Sequence, residues 1–418
     1  MKQNAVISFT GQKDINAKIH LTGSKSESNR ALIIAALSKG QVVVKNLSDA
    51  ADTVILNNIL VNLSTSVTEE RRTVNVGHAG TAMRFLTAFL STLPEKFVLT
   101  GSGRMQERPI GILVDALKAL GADISYEKNE GFPPLLINGG LNGDPSEVSI
   151  KGNVSSQYLS ALLIIAPTLP SGLTLHIVGG LTSRPYLEMT LNMLATAGIK
   201  HSWEGDTIRI EPQKHQDAVL TVEPDWSAAS YWYSIVALTG QSAIELPNLR
   251  ETSLQGDSEI QKIMIALGVK TSRTEDGIQL VSANDAPLNE VLNLKDCPDL
   301  AQTIIVCAAA KGLNMAFTGL ETLKIKETNR VLALQTELAK IGVTLTEDNE
   351  VYTLNCDKLH FPEKITISTY DDHRMAMAFA PLALLIKEVE MEDYEVVEKS
   401  YPDFWKDLQI AGFTVKEI

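Results

Sequence analysis

The chain has 418 residues, of which 44% are hydrophobic and 21% charged, and its formal net charge is −13. This length predicts more than one domain, and the ordinary composition excludes a disordered, collagen-like or coiled-coil protein. The acidic charge disfavours nucleic-acid binding, and no apolar run is long enough to cross a membrane. The three cysteines and seven histidines show no disulfide framework and no metal-ligand spacing. We therefore expect a cytoplasmic protein without a nucleic-acid or membrane partner.

One pattern recurs along the chain: the end of a helix, a Gly or Asn residue, and then a strand in which apolar and polar residues alternate. The residues at these junctions are Asn62, Gly121, Gly198, Gly268, Gly342 and Gly412. Both residue types tolerate the left-handed backbone that follows many helices, where a Cβ is otherwise penalised. The glycines follow one another at intervals of 70 to 77 residues, a range too narrow to favour chance recurrence. Six units of about 70 residues, with strand hairpins turning at 204–206, 276–277 and 347–349, predict an α/β fold.

The two ends of the chain are expected to form one unit together. Only one strand fits after Gly412, whereas the alternating runs at 5–9 and 15–21 have no helix of their own. If the N-terminal piece completes the last unit, three units form each of two domains. The expected domains are residues 1–22 with 226–418, and residues 23–225. Two such lobes, joined by two crossings, are a common design for closing on a small substrate.

The first candidate site motif is SKSESNR, where Lys25, Ser26 and Arg30 open an apolar helix. Backbone N–H groups at a helix start are unpaired and carry the positive end of the helix dipole, so they attract anions. Taken alone, the motif is equally typical of an ordinary capped helix.

Two further motifs combine glycine with arginine. In AGTAMR, Gly80 allows close backbone approach, Thr81 can cap a helix and Arg84 lies one turn inside it. In GSGRMQERP, Arg104 and Arg108 stand beside glycines and a proline, and such arginines suit bidentate binding of phosphate or carboxylate. Each motif also fits a simple turn before a buried helix.

Neutral hydrogen-bonding side chains open the next two predicted helices. Ser155, Ser156 and Gln157 precede one strongly apolar helix, and Ser183 and Tyr186 lie at the start of another. Hydroxyl and amide groups can bind substrate hydroxyls and phosphates without adding charge.

Carboxylates accompany the cations in the second half. Asp299 precedes an apolar helix, where an ordinary cap is the alternative. Lys326, Glu327 and Arg330 have the spacing of one helix face, which is also typical of a solvated charge ladder. Each reading remains open for these residues taken singly.

The last two motifs are DHR and EKSYP. Asp372, His373 and Arg374 precede a helix that is apolar on nearly every side, so these charges are expected at an interior edge, and Lys399 lies in a short loop. The cations near apolar helices are Lys25, Arg30, Arg84, Arg104, Arg108, Lys326, Arg330, Arg374 and Lys399. In an acidic protein this concentration predicts a ligand with more than one phosphate or carboxylate.

The motifs SKSESNR, AGTAMR, SSQ, RPY, KETNR and DHRMAM occur here in one order. Together they resemble the EPSP synthase (3-phosphoshikimate 1-carboxyvinyltransferase) family of enolpyruvyl transferases over nearly the whole chain. The resemblance implies a two-domain inverse α/β barrel of six βαβαββ repeats, three per domain, with the active site in the interdomain cleft. It implies transfer of the enolpyruvyl group of phosphoenolpyruvate to the 5-hydroxyl of shikimate 3-phosphate, in chorismate and aromatic amino acid biosynthesis. It implies no metal and no organic cofactor, and we expect a monomer.

The same resemblance assigns roles. Asp299 would take the hydroxyl proton, Glu327 would exchange the proton at the methylene carbon, and Lys25 would contact both substrates. The residues expected to hold shikimate 3-phosphate are Lys25, Ser26, Arg30, Ser155, Ser156, Gln157, Ser183, Tyr186, Asp299 and Lys326. Those expected to hold phosphoenolpyruvate are Lys25, Gly80, Arg104, Gln157, Arg330, Arg374 and Lys399.

Four residues depart from the pattern of the family. His78 and Thr322 stand where Asn is usual, Phe85 where Pro is common, and Asn329 where Asp is more usual. His78 and Phe85 neighbour the predicted phosphoenolpyruvate loop.

Two rival interpretations involve the same fold. UDP-N-acetylglucosamine 1-carboxyvinyltransferase shares the fold, but that family carries a reactive Cys or Asp on a loop of the first half, whereas all three cysteines here lie in the second half. A non-catalytic binding protein of this fold would be expected to lack one of Lys25, Asp299, Glu327 or Arg374, and all four are present.

Overall fold

The structure is a computed structural model that describes residues 3–64, 70–141, 145–287 and 291–418. The chain divides into two compact units, Met1–Thr22 with Glu223–Ile418, and Gly23–Val222. We call them the terminal unit and the inserted unit. The second crossing lies between Val222 and Glu223, slightly before the boundary expected after Asp225.

Short strands supply the sheets of both units. In chain order they are β1 Ala5–Ser8, β2 Asn16–Lys18, β3 Val42–Lys45, β4 Arg72–Asn75, β5 Phe97–Thr100, β6 Ile124–Tyr126, β7 Leu135–Ile137, β8 Glu147–Lys151, β9 Leu173–Val178, β10 Ser202–Glu204, β11 Thr207–Ile210, β12 Ala218–Thr221, β13 Ala243–Pro247, β14 Val269–Arg273, β15 Gly277–Ser282, β16 Val291–Asn293, β17 Met315–Thr318, β18 Thr344–Asp348, β19 Val351–Asn355, β20 Lys364–Ile367, β21 Glu388–Met391 and β22 Thr414–Glu417.

Helices alternate with these strands. They are α1 Lys25–Leu37, α2 Ala51–Leu63, α3 Gly80–Ser91, α4 Gly103–Gln106, α5 Gly111–Ala119, α6 Ser156–Ile165, α7 Arg184–Thr196, α8 Trp226–Ala237, α9 Ile260–Ile263, α10 Ala301–Ala310, α11 Arg330–Ala339, α12 His373–Phe379 and α13 Phe404–Ile410. No helix within the described ranges has both the length and the apolar character that crossing a bilayer demands.

The sheets follow the sixfold repeat with one exception. Across the described residues, the terminal unit has four-stranded sheets of order β20-β21-β1-β22, β14-β15-β13-β2 and β16-β17-β19-β18. The inserted unit has two four-stranded sheets, β10-β11-β9-β8 and β4-β5-β7-β6, whereas β12-β3 contains two strands. Among the described residues, the sheet of the first repeat therefore has fewer strands than the other five sheets.

The N-terminal strand completes the last repeat, as predicted. Strand β1 pairs antiparallel with β22, so that Ala5 lies opposite Glu417, and its other edge pairs with β21. The second N-terminal strand, β2, instead joins β13 in a different sheet of the same unit. The N-terminal segment thus contributes one strand to each of two sheets.

The junction glycines adopt the predicted backbone. A left-handed φ of 75° to 93° occurs at Gly121, Gly198, Gly268, Gly342 and Gly412. The prediction for Asn62 is wrong, because α2 continues to Leu63 and Ser64 keeps a right-handed φ of −73°. The strand part of that copy, at 65–67, lies outside the described residues. Asn is a good helix end only when the backbone turns left-handed, and here the helix runs past it.

Each unit has its own apolar core. Helices α3 in the inserted unit and α10 in the terminal unit are buried at every position. Neighbouring helices surround them, with α6 packed on α3, and α8 and α12 packed on α10. A helix enclosed in this way brings the polar residues at its N-terminus to the edge of a core, where several of the candidate site residues lie.

Candidate active site

In the terminal unit, Arg330 holds three carboxylates. It is the first residue of α11 and is 2% exposed. Its Nε lies 2.7 Å from Oδ2 of Asp372, its Nη2 2.9 Å from Oε2 of Glu327, and its Nη1 3.2 Å from Oδ1 of Asp299. Burial alone would lower the pKa of Arg330, but these carboxylates hold it above its ordinary value. Arg330 therefore stays positively charged, and its three carboxylate partners hold it in one place.

Arg374 binds the same aspartate from another helix start. Its Nη2 lies 2.8 Å from Oδ2 of Asp299, and its Nη1 donates to the backbone carbonyl of that residue at 3.2 Å. Asp372 caps α12 by accepting from the backbone N of Arg374 at 2.9 Å. The carboxylate of Asp299 therefore lies between two guanidinium groups. The residue that directly precedes α10 is Leu300, so Asp299 is not the cap residue that sequence analysis left as an alternative.

Glu327 is also held between two cations. One oxygen accepts from Arg330, and the other lies 2.9 Å from Nζ of Lys399, which ends a short 3₁₀ turn. The predicted shared helix face is wrong, because Lys326 and Glu327 precede α11. Asn329 caps that helix by accepting from the N of Leu332 at 3.1 Å, so helical geometry is broken before it. The loop nonetheless brings Glu327 and Arg330 into contact.

In the inserted unit, Lys25 lies near a buried carboxylate that sequence analysis missed. Its Nζ is 3.7 Å from Oδ2 of Asp52, and Nε2 of His78 is 3.8 Å from the other oxygen. Asp52 lies in the first turn of α2, and its side chain is 3% exposed. An acidic residue in the first turn of a helix is usually explained by its favourable interaction with the helix dipole. The sequence therefore did not indicate that Asp52 contacts Lys25.

Arg30 is buried inside its unit. Its Nη1 donates to the backbone carbonyl of Ser26 at 2.9 Å, its Nε to Oγ1 of Thr190 at 2.7 Å, and its Nη2 to Oγ of Ser160 at 3.1 Å. The Tyr186 ring lies 5.7 Å from the guanidinium carbon. Burial lowers the pKa of Arg30 to about 10, against the raising effect of Tyr186. The network joins α1, α6 and α7.

The starts of α3 and α6 meet through Gln157. Its Nε2 donates to Oγ1 of Thr81 at 3.1 Å, and its backbone N donates to Ser155, the cap of α6, at 3.3 Å. Thr81 is not the predicted cap of α3, since the helix begins after Ala79 without a side-chain cap bond. Ser156 is the first residue of α6. Two helix N-termini therefore lie side by side.

Gly80 lies close to the side chain of Arg108, and its role toward phosphoenolpyruvate stays a prediction. A Cβ at Gly80 would lie 2.6 Å from Nη1 of Arg108. Arg84 donates from Nη1 to the carbonyl of Gly80 at 3.0 Å. Arg104 lies in an exposed short helix, 2.8 Å from Glu107, and its role toward phosphoenolpyruvate stays a prediction.

Ser183 and Tyr186 occupy the start of α7. Ser183 has a left-handed φ of 57° and makes no side-chain cap bond to its helix. A non-glycine residue in this conformation is strained, and such strain is commonly found at functional positions.

The structure thus gathers Asp299, Glu327, Arg330, Arg374 and Lys399 into one ion-pair cluster within the terminal unit. Within the inserted unit it connects Gln157 with the start of α3, and Arg30 with Ser26. The cations can exchange their carboxylate partners for the phosphate or carboxylate of a ligand, and the released carboxylates can act in proton transfer. The arrangement suits acid–base chemistry on a small anion.

Solved structures with this architecture define the class as a two-domain α/β protein of the EPSP synthase fold. A 2.37 Å EPSP synthase structure from Acinetobacter baumannii matches 99% of this chain and 100% of its own, with a TM-score of 0.78 and 20% identity. A second EPSP synthase structure from that organism gives a TM-score of 0.76. At this identity the likeness shows the fold.

Sequence comparison identifies the family. The model of the EPSP synthase (3-phosphoshikimate 1-carboxyvinyltransferase) family matches residues 9–408. A 3-phosphoshikimate 1-carboxyvinyltransferase of Bacteroides fragilis is 48% identical over 98% of this chain and 98% of its own. One from Aliivibrio fischeri is 38% identical, covering 94% and 96%. The chain belongs to the EPSP synthase family.

Proposed function

We propose that this protein transfers the enolpyruvyl group of phosphoenolpyruvate to the 5-hydroxyl of shikimate 3-phosphate. The products are 5-enolpyruvylshikimate 3-phosphate and inorganic phosphate. The observation that carries the proposal is the ion-pair cluster in which Asp299 and Glu327 each lie between two cations. Two carboxylates and a set of anion-binding groups are what the reaction requires.

The chemistry is an addition followed by an elimination. The 5-hydroxyl oxygen bonds to C2 of phosphoenolpyruvate while C3 gains a proton and becomes a methyl group. The methyl group then loses a proton, the bond from C2 to the phosphate oxygen breaks, and the enol ether forms. Asp299 would accept the hydroxyl proton, and Glu327 would deliver and later remove the proton at C3. Lys25 would contact both substrates and assist proton transfer.

Ligand binding would replace the internal ion pairs. Phosphate and carboxylate oxygens of the substrates compete with Asp299 and Glu327 for the guanidiniums of Arg330 and Arg374, because both kinds of oxygen fit a planar fork of donors. A carboxylate displaced from one of its cations is free to accept a proton. Binding of a substrate anion to the arginines would therefore prepare Asp299 or Glu327 for proton transfer.

The proposed ligands are drawn from both units. Shikimate 3-phosphate would be held by Lys25, Ser26, Arg30, Ser155, Ser156, Gln157, Ser183, Tyr186, Asp299 and Lys326. Phosphoenolpyruvate would be held by Lys25, Gly80, Arg104, Gln157, Arg330, Arg374 and Lys399. The proposal needs no metal or organic cofactor, since phosphoenolpyruvate is itself an activated enol. We further propose that the protein is a monomer of the cytoplasm.

The test is release of phosphate from phosphoenolpyruvate by the purified protein. We expect release with shikimate 3-phosphate as acceptor and none with UDP-N-acetylglucosamine. Release with the nucleotide sugar alone would favour the rival transferase, and silence with both acceptors at saturation would refute transferase activity. Mass spectrometry of the product distinguishes enolpyruvyl transfer from hydrolysis of phosphoenolpyruvate.

A further inference from the structure

Behind the ion-pair cluster lies a buried carboxyl group that the proposed mechanism does not use. Asp257 belongs to a 3₁₀ turn, Gly256–Glu259, and is 3% exposed. Its Oδ2 accepts a hydrogen bond from Oγ of Ser227, whereas its Oδ1 is buried with no hydrogen-bond partner among the described residues. An ionised carboxylate held by one hydroxyl is poorly solvated, so this group is balanced between its two charge states.

Ser227 connects this carboxyl to the proposed base. It is the second residue of α8, and its Oγ accepts from Nη2 of Arg374 at 3.4 Å. The same Nη2 lies 2.8 Å from Oδ2 of Asp299. Four side chains therefore form one chain of contacts, from Asp257 through Ser227 and Arg374 to Asp299. The acidic groups at the two ends, Asp257 and Asp299, therefore both influence the guanidinium of Arg374.

The charges around Asp257 have opposite effects. Burial, as the largest cause, and the negative charge of Asp299 together raise the pKa of Asp257 to about 7, against the lowering effect of Arg374. Asp225, the cap of α8, adds a smaller raising effect. Cys297 faces the same carboxyl, and its thiol pKa is raised by burial and by Asp257. The charge of Asp257 is thus open to change near neutral pH.

We propose that Asp257 is a positioning residue that acts through Ser227 to set how firmly Arg374 is held against Asp299. When Asp257 is ionised it draws Arg374 toward Ser227 and repels a second negative charge at Asp299. The proposed base then has a higher affinity for the proton of the substrate hydroxyl. When Asp257 is neutral, Arg374 stays paired with Asp299, and Asp299 has a lower affinity for the proton. This inference rests on the proposed function.

The experiment measures the pH profiles of kcat and KM for Asp257→Asn, because a carboxamide copies the neutral form of the carboxyl group. We expect wild-type kcat to rise through neutral pH, and Asp257→Asn to lack this rise and to fall about tenfold below wild type at high pH, a factor that corresponds to one pKa unit of base strength. The substrates titrate identically in both measurements, so the difference belongs to the protein. Asp276→Asn, at an exposed turn of the same unit, is the matched control and should retain the wild-type profile.

A second variant tests the connection. Ser227→Ala removes the hydroxyl between Asp257 and Arg374, so we expect the KM for phosphoenolpyruvate to increase several-fold while the KM for shikimate 3-phosphate stays near wild type. A purely structural role would instead lower the unfolding midpoint of both variants and leave the shape of the pH profile intact.

The possible failures are distinguishable. Wild-type protein without transferase activity overturns the proposed function and this inference with it. Active wild type whose pH profile is unchanged in Asp257→Asn overturns the inference alone. Asp257→Asn hardly changes the volume of the side chain, so we expect this variant to fold. If it does not fold, Ser227→Ala tests the proposed connection independently.

Discussion

The guanidinium of Arg330 donates to the carboxylate of Asp372 over 2.7 Å, and their side chains are only 2% and 0% exposed. Replacing Arg330 by Met leaves a buried negative charge without its main partner. We expect the free energy of unfolding to fall by about 3–5 kcal/mol. Urea denaturation measures the change.

The double variant Arg330→Met, Asp372→Asn provides the control for this prediction. Removing both charges should recover part of the lost stability, since Asp372 is no longer an uncompensated ion, and Asp299 and Glu327 keep Arg374 and Lys399 as partners. Additive losses in the two single variants would contradict a coupled pair. Activity is not the readout here, because Arg330 is also a proposed ligand.

Glu327→Gln tests the proposed proton carrier. The substitution preserves shape and hydrogen bonding but removes the group that exchanges protons, so kcat should fall by at least about 100-fold. The dissociation constant of shikimate 3-phosphate should remain near wild type, which calorimetry can measure. Glu245→Gln, at an exposed ion pair with Lys18, should leave kcat unchanged. A Glu327→Gln protein with near-normal kcat would rule out the assigned role.

Gly80→Ala tests the packing at the start of α3. The added methyl group would meet Nη1 of Arg108 at 2.6 Å, and this flexible side chain end would have to move. We expect stability to change little but the KM for phosphoenolpyruvate to rise about tenfold, the effect of losing roughly 1.4 kcal/mol of binding. Gly103→Ala, where no atom lies within 4 Å of the new methyl group, should behave as wild type. Equal KM values for the two variants would separate Gly80 from the substrate site.

Gly342→Ala tests the junction of the repeat. Gly342 has a φ of 75°, and a Cβ there would overlap the carbonyl oxygen of Lys358. The unfavourable backbone alone costs about 1–3 kcal/mol, and the overlap adds to it. Gly240→Ala has neither a positive φ nor a neighbour within 4 Å, so its free energy of unfolding should be close to wild type. Thermal denaturation of both variants decides between a required and an incidental glycine.

The raised pKa of Asp257 predicts how stability depends on pH. A carboxyl group that binds its proton more tightly when folded contributes stability below its unfolded pKa of about 4, and loses that contribution as the pH rises toward about 7. The difference in unfolding free energy should therefore move in favour of Asp257→Asn between about pH 5 and pH 8. Each pKa unit of the shift contributes about 1.4 kcal/mol. Urea denaturation at the two pH values measures it, and a constant difference would contradict the shift.

Much of the architecture was predictable because it depends on local rules. The junction glycines recur at regular intervals, and their left-handed backbone follows from the absence of a Cβ. The pairing of β1 with β22 was predictable because the last repeat lacked a strand and the N-terminus had one to supply. The prediction for Asn62 was wrong because Asn tolerates the backbone of a helix end but does not require it, and α2 continues to Leu63.

The candidate site was predictable as a set of residues but not as a set of contacts. Spacing placed Glu327 and Arg330 on one helix face, whereas a loop before the helix brings them together. Asp52, near Lys25, and Asp257, behind Arg374, gave no signal, since acidic residues in a first turn are common.

The sequence alone determined the repeat, the fold class and the family, because glycine spacing, strand alternation and ordered motifs are properties of the chain read in one dimension. Only the tertiary structure decided which charges meet. Arg330 contacts Asp299, Glu327 and Asp372, while Arg374 contacts Asp299 and Lys399 contacts Glu327. These residues come from four separate segments, and the distances between such segments are set by how the helices pack around their core. Electrostatic coupling depends on those distances and on burial, neither of which is fixed by residue order.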